Sequence, residues 1–162
     1  MDRRQRKTRA AIFNALIDLL GQQDFSRITV EQIIQKADIG RATFYAHFET
    51  KDSLLMQLCE ELFCHIFDAA ERDIHRHDHI FKCGSEEPAI VHLLRHLKNN
   101  DNNILALLSS QNSGLFLPYF RSGLQKLLVG EERIGASSKR MDVPEDYWNN
   151  HLVSVFVETV LW

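Results

Sequence analysis

The stretch that decides the fold is Thr29-Val-Glu-Gln-Ile-Ile-Gln-Lys-Ala-Asp-Ile-Gly-Arg-Ala-Thr-Phe-Tyr-Ala-His-Phe-Glu-Thr-Lys-Asp-Ser-Leu54. Thr29 with Gln32 three residues on has the spacing of a capping box at a helix start. Val30, Ile33, Ile34 and Ala37 then recur with the helical period. Asp38-Ile39-Gly40 is too short for anything but a tight turn between helices. Phe44 and Phe48 form an i, i+4 apolar pair on a third, short helix. With Gly40 as its N-cap, Ile39 can pack on Phe44 as a hydrophobic staple. Thr50 caps a fourth, long helix whose first turn carries Asp52 and whose stripe runs Leu55, Leu58, Cys59, Leu62, Ile66, Ala70. Upstream, Ile12, Ala15, Leu16, Leu19 and Leu20 make the stripe of a first helix that Gly21 ends.

Two short helices joined by a tight turn and braced by a first helix form a helix-turn-helix arrangement over about residues 29–48. Periodicity alone does not separate this from any small three-helix module; the face of the third helix says more. Ala42, Thr43, Tyr45 and Ala46 point away from the Phe44/Phe48 side, with Arg41 and His47 flanking. Small residues let a backbone approach a groove floor, Thr43 and Tyr45 offer hydroxyls, and Arg41 can reach a guanine edge or a phosphate. Lys51 adds a cation at a helix start whose amides already favour an anion. The competing reading is an ordinary solvated polar face.

Composition agrees with such a module. The chain has 162 residues, 44% of them hydrophobic and 25% charged, the size of one domain or of a domain with a small appended unit. A chain this long buries roughly 70% of its unfolded surface and needs no disulfide or metal staple. The net charge of −3 conceals a split. Residues 1–52 hold nine Lys and Arg against seven Asp and Glu, and the remainder ten against fifteen. Five of the nine basic residues lie within the first nine positions, which suits either a local polyanion contact or a solubilising tail. No apolar run approaches the ~18–20 residues of a membrane span, and the N-terminus leads into no signal-peptide core. Three cysteines, Cys59, Cys64 and Cys83, contain no C-x-x-C pair, and an odd number closes no disulfide framework; a reducing cytoplasm is the expected compartment.

The segment Thr43-Phe-Tyr-x-His-Phe-x-x-Lys-x-x-Leu54, set in the longer stretch quoted above, resembles the DNA-binding domain of TetR/AcrR-type transcriptional regulators, and the resemblance covers about residues 6–66. It implies an all-α homodimer whose N-terminal domains read a palindromic operator on double-stranded DNA. It also implies a C-terminal helical bundle, residues 67–162, for dimerisation and for a small-molecule effector. DNA contact passes to Arg41, Ala42, Thr43, Tyr45 and His47, and phosphate contact to Thr29 and Lys51. The sequence departs from the family pattern in the turn and at two other positions. The usual Ala-Gly-Val-Ser turn is Ala37-Asp38-Ile39-Gly40, which keeps cap geometry but loses a serine hydroxyl. Asp24 stands where glycine is common, and Ile34 replaces an alanine. Asp38 tolerates left-handed backbone better than most residues.

Beyond residue 75 the pattern remains helical but less defined. His75–Glu87 and Gly130–Pro144 read as loops, with Pro88 at the first position of a helix. Ile90, Leu93, Leu94 and Leu97 form one stripe, Ile104, Leu107 and Leu108 another, and Phe116–Leu128 a further helix. Its Phe116, Leu117, Tyr119 and Phe120 suit either core or pocket. The last helix carries two stripes: Trp148, Leu152, Val155, Thr159, Trp162, and Val153, Phe156, Val157, Val160. Two apolar faces imply burial on two sides, the second between subunits. The apolar finish at Trp162 suggests that native sequence continues beyond it.

Other chemistry is sparse. His75, His77 and His79, with Asp78 and Cys83 nearby, invite a metal reading, but alternate spacing converges on one face only in a strand. His92 and His96, i and i+4, can chelate; the plainer expectation is a solvated pair on a helix surface. Cys59 and Cys64 read as small core residues, and Cys83 as the one plausible reactive thiol. No phosphate-cradling loop, nucleophile elbow or metalloprotease motif occurs, so neither an enzyme nor a cofactor is expected. An all-α protein–protein adaptor, a small helical hydrolase and a metal- or redox-sensing regulator are the alternatives.

Overall fold

The computed structural model describes residues 3–70, 88–99, 103–109, 113–130 and 144–162. Every α-helix or turn of helix among them belongs to an all-α arrangement without strands. The helices are α1 (Arg3–Leu20), α2 (Val30–Ala37), α3 (Arg41–His47), α4 (Lys51–Ala70), α5 (Ala89–Lys98), α6 (Ile104–Ser109), α7 (Ser113–Gly130) and α8 (Glu145–Leu161), with a 3-10 turn at Phe25–Arg27.

The local signals act as the residues suggest. Thr29 Oγ1 accepts the Gln32 backbone N–H at 3.2 Å, and Gln32 Oε1 accepts the Thr29 N–H at 2.8 Å, completing the capping box of α2. Asp38 sits in the left-handed region at φ 53. Around it the Ile39 N–H donates to Ile34 O at 3.2 Å and the Asp38 N–H to Gln35 O at 3.3 Å, the two bonds of a Schellman motif. Thr50 and Ser53 exchange backbone-to-hydroxyl bonds at 3.0 and 2.9 Å and start α4.

Packing then joins these pieces. α1 lies on α2, and the stripe of α1 is buried, with Phe13 and Ile17 added to it. α4 packs on α7 and α5, while α7 also meets α6 and α8. At 20 residues α4 is about 30 Å long, enough to run from the helix-turn-helix to the later bundle without a break. Two close approaches hold the ends together. Asn103 Nδ2 donates to Ile17 O at 2.8 Å, reaching the last turn of α1 past Gly21, where a Cβ would lie 2.9 Å from the same amide nitrogen. On α7, Gly123 faces the Phe63 ring of α4.

Three expectations need correction. α5 buries Ala89, His92, Leu93, His96 and Leu97 and leaves Leu94 exposed, so its inner face is rotated from the Ile90/Leu93/Leu94/Leu97 stripe. The purely apolar stripe ignored the two histidines. Pro88 is the N-cap of α5, one residue ahead of the expected position. Cys64 is exposed, because only Cys59 falls on the buried side of α4. On α8, Val153 and Val157 are buried and Phe156 and Val160 partly so, whereas Val155, Thr159 and Trp162 of the other stripe face outward. His75–His79 and Cys83 lie outside the described residues.

A methyl group at position 123 would overlap the Phe63 ring, so the overpacking should outweigh alanine's helical advantage of about 1 kcal/mol. Gly123→Ala is expected to destabilise the protein by about 1–3 kcal/mol, read as a lower thermal midpoint; an unchanged or raised midpoint would contradict the close α4–α7 packing.

Candidate nucleic-acid interface

A helix of seven residues is too short to hold its own shape or orientation, so α3 depends on what it buries. Phe44 and Phe48 are fully buried. The Phe48 ring meets Phe13 of α1 edge-on at 5.3 Å between centroids, and Phe44 lies 6.0 Å from Phe48. Ile39 packs partly buried against the same core. With these anchors inward, Arg41, Ala42, Thr43, Tyr45 and Ala46 are all exposed. Tyr45 is 50% exposed and stands edge-on to Phe44 at 5.4 Å, which braces its ring while leaving the hydroxyl outside. His47 is half-buried, 6.3 Å from the Phe48 ring. Arg41 reaches Glu31 only at 3.9 Å, with 69% of its side chain exposed, so this ion pair restrains it weakly.

Two residues expected to touch phosphate have other attachments. Thr29 is exposed, but its hydroxyl is engaged in the α2 cap. Lys51 turns inward. Its ammonium donates to Phe25 O at 2.9 Å and Ile28 O at 2.8 Å, and lies 4.3 Å from the centroid of the Phe25 ring. Burial lowers its pKa, and the neighbouring Asp52 offsets part of that shift. Phe25 O already accepts the Ile28 N–H at 3.1 Å within the 3-10 turn, and the lysine at the start of α4 adds a second donor there and one to Ile28 O. It therefore ties α4 to the segment that launches α2. Spacing in the sequence carries no sign of this, because the partners are 23 and 26 residues away.

Arg9 is a second such tie. It donates to Gln57 Oε1 at 2.5 Å and Glu61 Oε1 at 3.2 Å, and its guanidinium lies 4.9 and 5.3 Å from the Phe13 and Phe48 ring centroids. One basic residue of the N-terminal cluster thus belongs to the core joining α1, α3 and α4. Arg3, Arg4, Arg6 and Lys7 remain exposed on the first turns of α1. Cations there oppose the helix dipole, and no acidic residue in the first turn compensates, so helix stability does not account for them.

A helix-turn-helix with its third helix displayed in this way has clear relatives. Residues 12–58 match the family model of bacterial regulatory proteins of the tetR family. A TetR transcriptional regulator from Streptococcus agalactiae 2603V shares 38% identity, with a TM-score of 0.72, over 99% of this chain and 84% of that one. The chain belongs to the TetR family. Two Bacillus subtilis (strain 168) HTH-type transcriptional regulators are also similar: YxbF, 35% identical over 104 residues, and YvdT, 27% identical over 64. Those matches cover 61% and 40% of this chain but 26% and 33% of the two relatives, so the chain spans about a quarter to a third of their length. The TetR-type turn is kept here with Asp38 in the left-handed position by the Schellman bonds described above.

Removing the Lys51 ammonium takes a charged donor from Ile28 O and leaves Phe25 O with the Ile28 N–H alone. Lys51→Ala is expected to cost about 2 kcal/mol of stability, in the range for hydrogen bonds to a charged group. Chemical denaturation would check this, and a midpoint within error of the wild type would show that the tie is dispensable.

Proposed function

We propose that this TetR-family chain is a sequence-specific DNA-binding transcriptional regulator that acts as a homodimer on a palindromic operator and represses until an effector releases it. The observation that carries the reading is the outward ridge of α3, with Tyr45 at its centre, held by Phe44 and Phe48 locked inward. Ala42 and Ala46 allow close approach to a major-groove floor, Thr43 and Tyr45 present hydroxyls, and Arg41 and His47 flank them. Thr29 and Lys51 sit where α2 and α4 begin, so backbone amides at those ends contribute to phosphate binding whatever the side chains do. The exposed cations of α1 add attraction to the backbone. On this reading the DNA-binding unit is residues 6–66 and the effector and dimerisation unit residues 67–162, with α4 crossing between them.

The outer face of α8, with Val155 and Thr159, supports the dimer, because an apolar stripe turned to solvent is the usual mark of an association surface. A dimer sets its two α3 helices about 34 Å apart, one DNA turn. An effector that favours another spacing shifts the population away from the bound form. Between α4 and α7 a cleft of about 280 Å³, lined by Phe63, Phe67, Tyr119 and Lys126 among others, offers room only for a small effector. No helix among the described residues is long and apolar enough to cross a membrane, which agrees with action in the cytoplasm.

Selection from random duplex is expected to return a two-fold symmetric site with half-sites one turn, or a multiple of it, apart. Failure to enrich any sequence would defeat the reading. Tyr45→Ala should weaken the selected site by about 1–3 kcal/mol while leaving non-specific duplex binding nearly unchanged. Arg3→Ala should instead weaken both and reduce the salt slope by about 0.9 if it meets a phosphate. Val155→Glu should convert the dimer to monomer in sedimentation, because a carboxylate on that face would be buried without a partner.

A further inference from the structure

α4 and α5 bring three histidines together inside the protein. His65 is on α4, His92 and His96 are one turn apart on α5, and their exposures are 6%, 0% and 3%. The ring centroids form a nearly equilateral triangle with sides of 4.9, 5.1 and 4.8 Å. One potential ligand atom from each ring lies within 4.8 Å of the other two, and the Nε2 atoms of His92 and His96 are 3.0 Å apart.

Burial makes this arrangement costly unless it serves a purpose. His65 occupies the face of α4 that also buries Leu62 and Ile66, and His92 and His96 share the inner face of α5 with Leu93 and Leu97. An apolar side chain at any of the three positions would be cheaper to bury than an imidazole. His92 and His96 share a hydrogen bond between their Nε2 atoms, and a metal ion can replace that shared proton while taking a nitrogen of His65 as a third ligand. Tetrahedral zinc, with bonds of about 2.0–2.1 Å to nitrogen, needs its ligand atoms about 3.3 Å apart. The His92–His96 pair is already near that separation, and His65 needs to close by no more than about 1.5 Å. An all-imidazole donor set suits zinc and its first-row neighbours, whereas Mg²⁺ and Ca²⁺ require oxygen ligands.

We propose that His65, His92 and His96 bind a divalent transition-metal ion of the zinc class, with the fourth position open to water or a small anion, and that this ion is an effector acting apart from the α4–α7 cleft. The effector role rests on the DNA-binding reading above; the metal site does not. His65 is fourteen residues, about 21 Å along the same unbroken helix, from Lys51, which ties α4 to the segment before α2. An ion drawing His65 toward α5 therefore acts on the helix that supports α3.

The full chain, stripped with a chelator, is titrated with Zn²⁺ against a chromophoric competitor, and stoichiometry is read by equilibrium dialysis. One equivalent per chain, unaffected by a large excess of Mg²⁺, is expected. His65→Leu and His92→Leu should each weaken binding at least ~10-fold while circular dichroism shows the helices intact, since leucine can pack in the same place. A joint replacement of His75, His77 and His79 by alanine should leave binding unchanged. Lack of stoichiometric zinc, or full binding retained by the leucine variants, overturns the site. For the effector role, Zn²⁺ should change affinity for the selected duplex at least ~10-fold in the wild type and not in His92→Leu. Zinc bound with no change in duplex affinity overturns that role. A chain that binds zinc but no duplex in either state defeats the regulator reading, and with it the effector role, and leaves the metal site standing.

Discussion

The packing of Phe44 and Phe48 against Phe13 decides which way α3 faces, and the rest of the molecule's function follows from that. α3 is seven residues long, below the length at which a helix is stable alone, so its orientation is a tertiary property. The two phenylalanines occupy one side and are wholly buried. Tyr45, Thr43 and Ala42 are thereby turned outward with little freedom to do otherwise. A loss of either anchor would leave the exposed residues in place chemically but without a fixed direction.

Polar ties across long sequence separations then convert this small module into part of a larger body. Lys51 holds the turn before α2, Arg9 bridges α1 to α4 over the Phe13 and Phe48 rings, and Asn103 reaches the end of α1 from the start of α6. Each tie is made by a half-buried group, where a hydrogen bond is screened less than on the surface. Together with the unbroken α4, they give a perturbation around His65 a mechanical route to the helix-turn-helix. The close contact of Gly123 with Phe63 keeps α4 seated on α7 along the same route.

Much of the N-terminal half was legible residue by residue. The Thr29/Gln32 box, the tolerance of Asp38 for left-handed backbone, the Thr50 cap and the helical spacing of the α1 stripe are all local events, governed by neighbours within five positions. The exposed face of α3 was legible for the same reason, since one helical period assigns it once Phe44 and Phe48 are taken as anchors. The inward ties of Lys51 were not legible: a lysine at a helix start reads as a cation beside anion-favouring amides, and its acceptors lie more than twenty residues away. Cys64 reads as a core residue because α4 is apolar round much of its circumference, and periodicity does not separate its two sides.

The histidines show the division most clearly. His92 and His96 at i, i+4 were visible as a chelating pair, whereas His65, beside Ile66, stood outside the apolar stripe of α4 and carried no sign of its role. Nothing local says that the two faces meet, because helix pairing depends on side chains from α4, α5 and α7 filling one shared volume. The amino-acid order by itself determined where helices start, stop and turn, and which residues α3 shows, since those outcomes rest on short-range hydrogen bonds and a 3.6-residue period. Only the folded chain decided which cations stay in solvent, which carbonyls they satisfy and which three imidazoles converge, since burial and distance between remote residues exist only once the core has closed.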